Sequence, residues 1–203
     1  MNKPTIYPYV PTGNEIVSIP TLREDGAIES INVLSMKYRG LLEVIGRPFL
    51  QPFITVNNKV VFPNLLVWER EHYWVPTFKG IENHLEVTGT IHAPVGERGF
   101  YYKLKVKNIG EKEKEVTLGF NGEWSQTCHT INETKDFKGN LHAKKSGWNH
   151  SRVMELYTET SQLALAPMFN APPDIEEWQT DTSEHVKYRF AKKLTLAPHQ
   201  VEN

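Results

Sequence analysis

The sequence predicts an all-β fold, a large antiparallel β-sandwich with at most one or two short helices. Three observations carry this. Apolar and polar residues alternate with period two through most readable segments, which is the pattern of strands with one buried face. The segments are rich in β-branched and aromatic residues and are separated by polar, Gly or Pro breaks. The thirteen prolines suit loops and sheet edges better than central strands or helix interiors.

Taken in order, "AIESINVLSM" (27–36) reads as a first strand. "PFITVNNKVVF" (52–62) reads as two strands turning at Asn57-Asn58. In "HLEVTGTIH" Leu85, Val87 and Ile91 share one parity, and Glu86, Thr88, Thr90 and His92 the other. "GFYYKLKVKNIG" sets Tyr102, Leu104 and Val106 against a solvated face of Lys103, Lys105 and Lys107. Asn108, Gly110 and the run "EKEKE" form a polar turn, after which Val116, Leu118 and Phe120 resume the alternation, so a hairpin is expected over about residues 100 to 124. "VMELYTE", "QLALAPMF" and "HVKYRFAKKLTL" complete a set of roughly ten to thirteen strands. "PPDIEEWQ" is the one helix candidate: Pro172 or Pro173 fits a first turn, and Asp174, Glu176 and Glu177 suit its N-terminal dipole.

A chain of 203 residues supports one sizeable core, so a single domain over 1–203 is the default. After a turn at Ala197-Pro198-His199-Gln200 a new strand starts at Val201. Ending there would leave backbone groups of the preceding strand unpaired, which reads as a fragment of a longer chain.

Composition excludes several classes. With 23 Lys and Arg against 24 Asp and Glu there is no basic field for nucleic acid or anionic lipid. No stretch has the apolar length required to span a bilayer. The N-terminus, broken by three prolines, has no signal-like apolar run. A single cysteine, Cys128, allows no internal disulfide and suits a reducing, cytoplasmic setting.

The richest segment is "NGEWSQTCHTINE" (121–133). If its strand runs on from Val116 without a bulge, Trp124 is buried with Leu118 and Phe120 while Glu123 points away; a bulge at Gly122 would reverse this and bring Trp124 to the rim. Glu123 lacks an identifiable second carboxylate for glycosidic acid catalysis. Cys128 and His129, adjacent on a strand, point to opposite faces and do not form a nucleophile–base pair. His129, His142 and His150 match no compact metal motif, and neither metal nor cofactor is called for. "SGWNHS" places Trp148, Asn149 and His150 in a loop suited to sugar stacking and hydroxyl recognition. Trp68, Trp74 and Trp178 fit either a groove or the sandwich interior.

"GERGFYYKLKVKNIGEKEKEVTLGFNGEWSQTCHTINE", "SGWNHS" and the terminal "LTLAP" together resemble the N-terminal β-supersandwich domain of bacterial glycoside hydrolases and phosphorylases with an (α/α)6-barrel catalytic domain, of the glucoamylase and maltose phosphorylase type. The resemblance implies a galactose mutarotase-like sandwich that carries no catalytic carboxylates of its own. It also implies packing on a C-terminal helical catalytic domain, with Trp124, His129, Trp148, Asn149 and His150 as candidates for that contact or for an oligosaccharide-binding rim. Aldose epimerases (mutarotases) share the topology and supply an alternative, with His150 of "WNHS" as acid. A stand-alone carbohydrate-binding module is a third. Sugar, linkage and self-association into a homo-oligomer stay open.

Overall fold

A computed structural model describes residues 11–35, 40–72, 74–130, 134–136, 139–145, 152–157, 162–182 and 185–202. The strands, in chain order, are β1 (Thr12–Gly13), β2 (Val17–Ile19), β3 (Ile28–Ser35), β4 (Gly40–Val56), β5 (Lys59–Val60), β6 (Val67–Glu71), β7 (Val75–Glu82), β8 (Leu85–His92) and β9 (Tyr101–Asn108). They continue with β10 (Lys114–Trp124), β11 (Gln126–Thr130), β12 (Thr134–Asp136), β13 (Asn140–Lys145), β14 (Arg152–Tyr157), β15 (Gln162–Leu165), β16 (Ile175–Thr182), β17 (His185–Leu196) and β18 (Val201–Glu202). The fold is an all-β sandwich, and no helix occurs among the described residues.

A ten-stranded sheet is built on the order β1-β2-β3-β4-β10-β17-β16, with β5, β11 and β12 attached beside it; β6 to β9 and β18 make a five-stranded sheet and β13 to β15 a three-stranded one. Both smaller sheets cover the same face of the large sheet. On β10 and β17, Val116, Leu118, Trp124, Val186, Tyr188, Phe190 and Leu196 share one parity and are all buried. One core cluster joins Trp124, Tyr188 and Phe190 to Leu141, Met154 and Leu156 of the three-stranded sheet. The other joins Val116, Leu118 and Leu196 to Phe78, Val87, Leu104 and Val106 of the five-stranded sheet. Trp68 and Tyr102 pack against both clusters and make the interior continuous.

Several local expectations hold. Asn57 and Asn58 have φ of 51° and 61° and close the β4–β5 hairpin, with Val56 opposite Lys59. Lys103 and Lys105 are exposed while Leu104 and Val106 are buried.

Two do not. Residues 100 to 124 form no hairpin: β9 pairs with β8 and β18, whereas β10 pairs with β4 and β17. The chain between them is an arch crossing from one sheet to the other. Strand, polar turn and strand look the same in both arrangements, and burial of both inner faces between two layers selects the arch. Asn108, fully buried, ties it down. Its Nδ2 donates to Lys112 O at 2.8 Å and Leu196 O at 3.0 Å, and its Oδ1 accepts from Gly110 N at 3.0 Å.

The helix expected at 172–179 is replaced by strand β16 from Ile175, in register with β17 through Ile175–Ala191 and Trp178–Tyr188. Asp174 caps no helix. Its Oδ2 accepts Lys193 N–H at 2.8 Å and its Oδ1 the Lys192 ammonium at 3.2 Å, and these contacts, the backbone one first, hold its carboxyl below the ordinary range. A ladder to β17 and the packing of Trp178 on Tyr188 and Phe190 outweigh the weak preference of an eight-residue helix.

Candidate functional site

Glu123, Trp124, Cys128 and His129 lie at the end of the ten-stranded sheet where β10 and β11 run beside β4 and β17. The ladder from Lys114–Leu196 to Trp124–Val186 is unbroken and includes Gly122 opposite Tyr188, so Gly122 bears no bulge on this side. Trp124 therefore stays on the inner face, 0% exposed, and its Nε1 donates to Thr127 Oγ1 at 2.9 Å.

The parity reversal comes three residues later. Ser125 interrupts the strand, its N–H donating to Ile45 O at 2.9 Å. From there β11 runs beside β4, Thr127 opposite Val44 and His129 opposite Leu42. Val44 and Leu42 are buried, and directly opposed residues share a face, so Thr127 and His129 lie on the inner side and Cys128 on the other.

Neighbouring β4 absorbs an irregularity here. Asn121 lies opposite Gln51 and Gln126 opposite Ile45, six residues on β4 against five on the other strand. The irregular stretch contains Gly46, where a Cβ would collide with Glu123 O and the Phe49 backbone, so only glycine lets the two chains approach this closely. Tyr188 spans the same point. It is buried, its hydroxyl donates to Phe49 O, and burial first, then the Glu123 charge, raises its pKa.

On the outer face, Glu123 meets a residue 62 positions away. His185 Nδ1–H donates to Glu123 Oε1 at 3.2 Å, with side-chain exposures of 42% and 17%. Two rows along, the Arg189 guanidinium lies 4.6 Å from the Phe53 ring centroid and its Nη1 lies 3.9 Å from Glu177 Oε2. This face presents donors and acceptors held on paired strands. Among the described residues no second carboxylate is paired with Glu123, and no group of three or more His, Cys, Asp or Glu residues there could hold a metal ion. Exposed ion pairs contribute little to stability. His185→Ala is accordingly expected to cost at most about 1 kcal/mol in urea unfolding; a loss several times larger would make the pair a folding determinant.

Of the candidates expected from sequence, Trp124 and His129 lie on one inner face, and Trp124 is core rather than rim. Trp148, Asn149 and His150 lie outside the described residues. Trp68 and Trp178 are half-buried and pack against the sandwich core, Trp68 Nε1 donating to Glu24 O at 3.2 Å and Trp178 Nε1 to Glu176 Oε1 at 2.8 Å. Trp74 is the exposed one, at 78%. The Glu123–His185 pair was not singled out from sequence, because its partners come together only when β17 docks on β10. No family model matches the chain, and no curated protein matches it.

Proposed function

We propose that this chain is an accessory β-sandwich of a carbohydrate-active enzyme, which packs on a helical catalytic domain and lends residues to a sugar-binding rim. The observation that carries it is an apolar corner on the five-stranded sheet. Leu65, Val67 and Ile81 are exposed there; apart from the exposed Tyr101 on β9 and the half-buried Val75 on β7, the rest of that outer face carries lysines, threonines, glutamates and His92, with an ion pair between Lys79 and Glu86 at 2.7 Å. Exposed apolar side chains gathered in one place mark an interaction surface more often than chance exposure does. The resemblance of the sequence to supersandwich domains supplies the kind of partner. Cys128, buried as the chain's single cysteine, suits the cytoplasmic setting of this reading.

Reading the gene downstream of the Asn203 codon is the direct test. Several hundred codons with helical periodicity and paired carboxylates would support the reading, and an immediate stop would overturn it. In the longer protein, Val67→Lys with Ile81→Lys is expected to loosen the contact between domains and raise proteolysis at the linker.

A second reading, a stand-alone sugar-binding module, draws on Trp74, whose exposed ring offers a flat apolar platform for a pyranose. It requires saturable oligosaccharide binding that is lost in Trp74→Ala.

A further inference from the structure

The two edges of the five-stranded sheet are complementary to each other. At one edge β9 pairs with β8 along its whole length, but among the described residues with β18 only through Lys107 and Val106. Asn108 N–H donates to Gln200 O and its carbonyl accepts from His199 N–H. Even-numbered residues of β9 therefore turn their backbone groups toward the β18 side, and Tyr102 and Leu104 aim an N–H and a C=O each past the end of β18. Among the described residues no group bonds to them there. Carried across the sheet, the same alternation turns Trp68 and Arg70 of β6 toward the opposite edge, where among the described residues β6 has no strand partner besides β7.

Charge separates the edges. Beside the open part of β9 the outward side chains are Tyr101, Lys103 and Lys105; beside β6 they are Val67, Glu69 and Glu71, with Arg70 exposed on the other face of that strand, and the two lysines and two glutamates are all exposed. None of these four has an ion-pair partner among the described residues, in contrast to the neighbouring Lys79–Glu86 pair.

We propose that the sheet extends from one copy of this chain to the next, with Val67–Glu71 of one copy adding as an antiparallel strand to Tyr101–Lys105 of another. Strand order and direction permit this without inversion. In the sequence β9-β8-β7-β6 every neighbour is antiparallel, so β9 and β6 run in opposite directions and a second sheet in the same orientation presents β6 antiparallel to β9. Matching the two five-residue stretches end to end sets Trp68 opposite Leu104 and Arg70 opposite Tyr102, the residues whose backbone groups face outward. Glu69 then stands opposite Lys103 and diagonal to Lys105. Pairing β9 with β9 would oppose lysines, and β6 with β6 glutamates, each unfavourable. The contact is heterologous, so it propagates or closes into a ring instead of stopping at a symmetric dimer. Lysines also guard edge strands against unwanted pairing; here an acidic edge on the same sheet supplies the strand they accept.

Sedimentation velocity across a concentration series, at low and high salt, tests this. The expected result is association that grows with concentration past the dimer and weakens as salt rises. Lys103→Glu/Lys105→Glu and Glu69→Lys/Glu71→Lys, all on exposed side chains, should each be monomeric alone, since each carries two edges of one sign. Mixed in equal amounts they should associate again, because the acidic edges of one meet the basic edges of the other. A monomer up to about 1 mM, association that stops at a dimer, association indifferent to the charge reversals, or no rescue on mixing would each overturn the proposal.

Discussion

Trp124→Ala is expected to destabilise the protein by about 3–5 kcal/mol, the range for truncating a large aromatic in a packed core. The side chain is fully buried between the ten-stranded and three-stranded sheets. Removing it opens a cavity against Phe49, Met154, Val186 and Tyr188, members of the same cluster, and leaves Thr127 Oγ1 without its donor at 2.9 Å. Trp124→Phe should retain most of the packing and lose the hydrogen bond, for a cost of about 1–3 kcal/mol. Urea unfolding followed by circular dichroism reads both. A midpoint for Trp124→Ala within about 1 kcal/mol of the unmutated chain would mean that Trp124 lies at a surface, and would reopen its candidacy for a sugar rim.

Asn108→Ala should cost about 2–4 kcal/mol, because buried polar groups left without partners bear the full desolvation penalty. The amide holds three parts of the chain at once: the arch through Lys112 and Gly110, the end of β17 through Leu196, and Ala197 at 3.3 Å. Asn108→Asp should be no milder, since it sets a carboxylate oxygen against the carbonyls of Lys112 and Leu196. Hydrogen exchange separates this from a general loss of stability. The amides of His199 and Asn108, which close the contact between β9 and the C-terminal turn, should exchange faster than those of β10 and β4. Uniform acceleration across the sheet would count against the clamp.

What was legible in advance rests on interactions between near neighbours. The Asn57-Asn58 turn follows from two adjacent residues that tolerate left-handed backbone, and both adopt it. The alternation of β8 and the lysine face of β9 follow from a two-residue period. The separation of Cys128 from His129 follows from the same period and is retained in β11. Within the candidate segment, parity without a bulge at Gly122 fixed Trp124 to the core. The later reversal at Ser125 was not legible, since it arises where β10 gives way to β11 beside an irregular stretch of β4.

By itself, the sequence determined that this protein is built of strands, where most of them lie, and which of their faces are apolar. These properties depend on backbone preferences and on the alternation of side chains along one extended segment. Tertiary structure alone decided that residues 100 to 124 arch between sheets, that 175–182 is a strand and not a helix, that Glu123 meets His185, and that one sheet ends in a lysine edge and a glutamate edge. Each depends on which distant segment supplies the neighbouring backbone. That choice is made by burying two small sheets against one face of a large one, a sum over the whole chain that no local pattern contains.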